Sequence, residues 1–155
     1  MERNAADRVV AALAARRHGV VSTYELSSAG LSHHAVAHRA AHGWLQRCHR
    51  GVYLVGSTPG PFTREAAAVL ACGDSAVLSY RSAAVLWKLG PVPPADVDVT
   101  VTAKVRPRAG IRLHRVLELD PRREIAHRDG LAITTPARTL LDLATVLPRR
   151  ELELA

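Results

Sequence analysis

Four histidines and an arginine crowd the stretch HHAVAHRAAH, His33 to His42, and Arg47, His49 and Arg50 follow closely. At helical spacing His34, His38 and His42 recur every fourth residue and share a face, with Arg39 beside them. Imidazoles and a guanidinium so arranged can reach base edges and phosphates in a DNA groove. Ala37 and Ala41 leave room for close approach. No acid lies between Leu26 and Arg64, so the segment meets phosphate without self-repulsion. The competing reading is a solvated face that happens to be basic. Histidines four residues apart also chelate zinc. Here no neighbouring carboxylate or thiolate completes a shell, because Cys48 is expected to point inward, and no metal site is expected. Free imidazole titrates near pH ~6.5, so mild acid is expected to strengthen any such binding.

Two other clusters could do chemistry. Asp96 and Asp98 form a D-x-D pair of the kind that holds a metal in nucleotidyltransferases and nucleases. No glycine-serine phosphate loop precedes the pair and no E-x-K follows it. Strict alternation through VDVTVT explains the carboxylates as the wet face of a half-buried strand. Lys104, Arg106, Arg108, Arg112 and Arg115 form a second basic group around the turn from Pro107 to Gly110. That group reads as a second DNA contact, a docking patch for an acidic partner, or a solvated hairpin. No serine-histidine-acid triad or glycine-rich phosphate loop is recognisable. The expectation is a protein that is not an enzyme, with no catalytic residue and no cofactor.

The elements that must position these groups are legible in turn. Ala5 to His18 reads as a helix with Val9, Leu13 and alanines inward and Arg8, Arg16 and Arg17 outward, stopped by Gly19. Val20 and Val21 read as an extended link. Ser22 with Glu25 three residues on is a capping box, opening a brief helix that ends at Gly30. Leu31 should reach the core, and Ser32 should cap the helix His33 to His42, which Gly43 ends. Trp44 to Cys48 and Val52 to Val55 read as two strands joined through His49, Arg50 and Gly51. That order is the plan of a winged helix-turn-helix, whose second helix enters a major groove.

GSTPGPF, Gly56 to Phe62, reads as a linker. The predicted fold class is therefore α+β, with a winged helix-turn-helix over residues 1–57 and a small mixed α/β domain over 62–155. In the second domain helices are expected over Thr63 to Cys72 and from a Ser79 cap through Leu89. The latter turns Ala83, Leu86 and Trp87 inward and ends at Gly90-Pro91. Strands are expected over Asp96 to Thr102, Gly110 to Val116 and Leu131 to Thr134. Thr135-Pro136 opens a helix whose apolar set is Leu140, Leu141, Leu143, Ala144 and Leu147, and Pro148 breaks it before RRELELA.

Bulk properties agree with this organisation. The 155 residues carry a net charge of +7, which favours an anionic partner, and 48% are hydrophobic. Lys88 and Lys104 are the only lysines. An arginine bias of that kind suits bidentate contacts to phosphate and also follows from a GC-rich genome. Cys48 and Cys72 have no metal-type spacing and read as small buried hydrophobes in a reducing cytosol. No apolar run approaches the ~20 residues that span a bilayer, and MERNAADRVV is not a signal peptide. A cytoplasmic location is expected, with no membrane partner.

The segment RRHGVVSTYELSSAGLSHHAVAHRAAHGWLQRCHRGVYLVG resembles the winged-helix domain of AbiEi-family antitoxins from type IV toxin–antitoxin systems. LSYRSAAVLWKLG, VDVTVT, IRLHRV and DGLAITTPARTLLDLA are similar to the rest of the actinobacterial branch of that family. The resemblance implies a two-domain transcriptional autorepressor. Its N-terminal domain would bind double-stranded DNA at repeats in its own promoter, and its C-terminal domain would antagonise a nucleotidyltransferase-like toxin. DNA contacts would fall on His33, His34, His38, Arg39 and His42 of the second helix and on Arg47, His49 and Arg50 of the wing. No motif carries the antitoxin surface, since the shared phrases there are core residues and caps. Many relatives continue past the equivalent of ELELA into a Vsr-like endonuclease region. This chain stops at Ala155 without those catalytic carboxylates, and the expectation is either a natural short form or a truncated one. Two alternatives stand beside the repressor: a protein-interaction antitoxin without specific DNA binding, and a non-catalytic remnant of an endonuclease fusion. The sequence shows no dimer face.

Overall fold

The computed structural model describes residues 2–89 and 95–153. The chain divides into two units, Met1–Ala71 and Cys72–Ala155. The division falls inside a helix, beyond the 57–62 boundary expected from the glycine- and proline-rich segment.

The first unit runs α1 (Glu2–Ala15), β1 (Val20–Ser22), α2 (Thr23–Ser28), α3 (His33–Ala41), β2 (Leu45–His49), β3 (Val52–Val55) and α4 (Thr63–Cys72). The helices and hairpin follow the expected order. Val20 and Val21, expected as a link, form a strand opposite Leu54 and Tyr53, so the sheet has three strands in the order β1-β3-β2. Ser22 accepts from the Glu25 amide while the Glu25 carboxylate accepts from the Ser22 amide, closing the capping box.

Val10, Ala14, Val21, Leu26, Leu31, Val36 and Leu45 form the core of this unit. Val9, expected inward, is 49% exposed, and the inward valine is Val10. The alanines of α1 flank both valines and left its inward face ambiguous by one position. Gly19 adopts φ +87°, and a Cβ there would lie 2.9 Å from Leu54 Cδ1, so the turn after α1 requires glycine. The segment before α4 is tied back on this unit. Thr63 Oγ1 accepts from the Gly60 amide at 2.8 Å and donates to the His18 carbonyl at 2.6 Å, and Phe62 packs edge-on against His18.

The second unit contains β4 (Val77–Leu78), α5 (Tyr80–Trp87), β5 (Val97–Val101), β6 (Ile111–Arg115), β7 (Ile125–Arg128), β8 (Leu131–Thr134), α6 (Pro136–Ala144) and α7 (Arg149–Leu152). Its five-stranded sheet has the order β6-β5-β4-β8-β7. β4 and β7 were not foreseen. β4 has two residues, too few for a period to show, and β7 is a half-buried edge without alternation. The Asp129-Gly130 turn, with φ of 50° and 74°, was nevertheless a hairpin signal for β7. β5 and β6 run parallel, so the basic segment between them is a crossover and the hairpin reading is corrected. α5 ends at Trp87 with Lys88 at φ 61°. The expected stop at Gly90-Pro91 lies outside the described residues.

This interior is polar as well as apolar. Ser79 does not cap α5 with its side chain. Its hydroxyl accepts instead from Thr100 Oγ1 at 2.7 Å, and Ser82 Oγ accepts from the Asp98 amide. Thr134 and Thr139 share a buried hydroxyl contact of 2.7 Å. α6 starts as expected, with Thr135 capping and Pro136 in its first turn. Its inward face is Thr139, Asp142 and Leu143, however, whereas Leu140, Leu141 and Ala144 of the expected apolar set are exposed. Asp142 is held inside by Arg138, whose Nε donates to Asp142 Oδ1 at 2.8 Å and whose Nη1 donates to Glu124. A polar stripe tied to an arginine through Asp142 Oδ1 thus faces inward, and helical spacing of leucines alone picked the opposite side.

Candidate nucleic-acid interface

α3 is anchored by Leu31 and Val36 in the core and begins at Ser32, whose Oγ accepts from the Ala35 amide at 3.2 Å. Anchoring on that side leaves His33, His34, Ala37, His38, Ala41 and His42 exposed. The imidazoles of His38 and His42 stack at 4.1 Å with an interplanar angle of 23°. His42 Nδ1 donates to the His38 carbonyl at 2.7 Å, which leaves its Nε2 directed away from the helix backbone as the atom available to a ligand.

The hairpin places Arg47 and Arg50 in solvent and His49 half-buried at its tip. Arg47 pairs with Tyr53 and His49 with Val52, so Cys48 is the extra residue of a bulge. Cys48 is exposed, which corrects its expected inward placement. Leu45 takes the inward position, and strand parity turns Cys48 outward with Gln46. Cys72 is buried as expected, and burial pushes its thiol up.

Arg39 is set apart from the histidines beside it. Its Nε donates to Asp7 Oδ1 at 2.8 Å and its Nη1 to the Ala35 carbonyl at 3.2 Å. The guanidinium carbon lies 5.8 Å from the Trp44 ring centre, and the side chain is 13% exposed. A cleft of 530 Å³ opens here, lined among others by Asp7, His34, His38, Arg39, His42 and Trp44. The structure thus brings His34, His38, Arg39 and His42 together. His33 lies on the same helix outside the cleft lining, and the three hairpin residues form their own group. Asp7 and Trp44 were missed. Asp7 stands three and seven residues before Val10 and Ala14, on the inward stripe of α1. A carboxylate on such a stripe calls for a cationic partner, and that was the available signal.

The second unit's polar pairs do not form a metal-type face. Asp98 is 1% exposed and accepts from His114 Nε2 at 2.8 Å, while Asp96 stands outside near Arg112 at 3.9 Å. The reading of both carboxylates as one wet face is corrected, because β5 is covered on both sides. Tyr80 stacks on His114 at 3.7 Å. Among the described residues no three histidine, cysteine or carboxylate side chains are grouped to hold a metal ion. Of the Lys104–Arg115 group, Arg112 is drawn toward the Asp96 carboxylate.

Residues 8–56 match the family model described as transcriptional regulator, AbiEi antitoxin. The resemblance read from the sequence is borne out over that segment. The chain also shares a fold with the RV2827C protein of Mycobacterium tuberculosis, known from its crystal structure, at 19% identity and a TM-score of 0.57. The match covers 92% of this chain and 60% of that one, so the chain spans about three fifths of that protein's length. No curated protein matches the chain.

Proposed function

We propose that the protein is a DNA-binding transcriptional repressor of its own operon, acting as the antitoxin of a type IV toxin–antitoxin system. α1 to α3 with the β2–β3 hairpin act as a winged helix-turn-helix. His33, His34, His38 and His42 of α3 face the major groove, Arg39 sits at the edge of that face, and Arg47, His49 and Arg50 of the wing track the adjacent backbone. The observation that carries this reading is the exposed imidazole face of α3 next to an exposed arginine-bearing hairpin, within an acid-free stretch of chain. The regulator family matched over residues 8–56 supports it. No helix among the described residues is long and apolar enough to cross a membrane. The reading assigns no catalytic residue and no cofactor.

The test is a mobility shift on the DNA upstream of its own coding sequence against scrambled DNA at two salt concentrations. Preferential binding that persists at the higher salt is expected. Equal, salt-abolished binding to both fragments would reduce the basic face to nonspecific charge.

The exposed leucines of α6 favour a second, compatible role. Leu141 is 68% exposed and Val146 46%, an apolar surface suited to a protein partner such as a nucleotidyltransferase-like toxin. Full-length protein carrying Leu141→Lys is expected to fail to rescue cells from a toxin encoded beside it while still binding DNA. Intact rescue would remove this surface from the antitoxin role.

A further inference from the structure

We infer that Asp7 neutralises Arg39 at the DNA face and so limits the affinity of α3 for DNA. Arg39 then serves as half of an internal ion pair and does not read bases. The inference rests on the DNA-binding reading above.

Three engagements hold Arg39 in place: the 2.8 Å bond to Asp7, the bond to the Ala35 carbonyl, and the Trp44 ring 5.8 Å away. An arginine that reads guanine needs both arms of its fork directed into the groove. Here Nε is turned toward α1 and Nη1 toward the backbone of its own helix, and the side chain is 13% exposed. Asp7 is the more open partner at 36% and shares the cleft with His34 and His38. The stretch from Leu26 to Arg64 is acid-free, yet α1 delivers a carboxylate to its edge from outside it. The pair therefore contributes no net charge where phosphate would approach. Removing the carboxylate's charge would return one cation to the face. One further phosphate contact steepens the salt dependence of log K by about 0.9.

The test is a charge cycle on full-length protein: wild type, Asp7→Asn, Arg39→Gln and the double variant. Each is titrated by fluorescence anisotropy on the duplex upstream of its own coding sequence at several salt concentrations. Asparagine keeps an acceptor for Arg39 Nε, and thermal unfolding verifies that each variant folds. The expected results are binding about tenfold tighter for Asp7→Asn, with a slope steeper by about 0.9, weaker binding for Arg39→Gln, and near-wild-type affinity for the double variant. A double variant as weak as Arg39→Gln would mean that Arg39 contacts DNA directly and would overturn the inference. Asp7→Asn binding no tighter than wild type would overturn it too. The wing variant Arg47→Gln/Arg50→Gln separates the two levels. Wing-sensitive binding with unresponsive Asp7→Asn removes only the role of Asp7. Wing-insensitive binding, or none by the wild type, removes the DNA reading and this inference with it.

Discussion

The two units differ in how many polar groups their interiors hold beside the apolar ones. In Met1–Ala71 the core around Leu26 and Val36 is apolar, and His33, His34, His38, His42, Arg47 and Arg50 stand outside. In Cys72–Ala155 Ser79, Ser82, Asp98, Thr100, Thr134, Thr139 and Asp142 are buried, while Leu117, Leu140, Leu141 and Val146 are exposed. A core of the first kind is held by area removed from water. An interior of the second kind depends on every donor finding an acceptor, and gains directionality from it. The first unit exposes a basic helix face, and the second exposes several aliphatic side chains.

That contrast can be broken by experiment, beginning where the effect is largest. Leu26→Ala in the apolar core should cost about 3 kcal/mol in urea unfolding, since a fully buried leucine leaves a cavity among packed neighbours. A loss under 1 kcal/mol would mean this core is not what stabilises the first unit. Asp98→Ala should cost about 2 kcal/mol, because His114 Nε2 loses its 2.8 Å partner in a largely enclosed site. A neutral result there would show that the buried polar contacts are dispensable and erase the distinction between the units.

These same residues mark what could be read from the chain. Ser22 with Glu25, Ser32, Gly43 and the glycine of the hairpin turn are local signals whose physics is complete within a few residues, and the first unit was legible through them. The imidazole face of α3 was legible for the same reason, as a spacing on one helix. Asp98 and Leu141 were assigned to the wrong sides, because pattern reading sends carboxylates to water and leucines to the core. Only contacts far apart in sequence, Asp98 with His114 or Arg138 with Glu124, reverse that. Asp7 escaped notice likewise, since its partner lies 32 residues away.

Smaller effects sharpen the contrast. Leu141→Lys should change stability by less than about 0.5 kcal/mol despite deleting a large apolar side chain, as expected for a surface position. A loss of 2 kcal/mol or more would place Leu141 in the fold and not in an interface. The smallest effect concerns acid. The Asp120 amide, and after it Arg138, hold the Glu124 carboxyl below its ordinary value. Its contribution is therefore present in full above about pH 4.3, the unfolded value, and disappears as pH falls through the folded one. Burial, partly countered by Arg138, pushes Asp142 the other way, so its contribution is present in acid and lost as pH rises through its folded value. Glu124→Gln should flatten the acid limb of a stability–pH curve and leave the neutral region nearly unchanged. An unaltered acid limb would detach Glu124 from the Arg138 network.

The charged face of the first unit consists of imidazoles and guanidiniums, and the chain carries no lysine before Lys88. Acetyl transfer, which silences lysine-rich surfaces by cancelling their charge, finds no side-chain acceptor there. Amine-reactive dyes and surface-coupling reagents likewise find their lysine targets at Lys88 and Lys104, in the other unit, so lysine chemistry modifies no side chain of α3 or the hairpin.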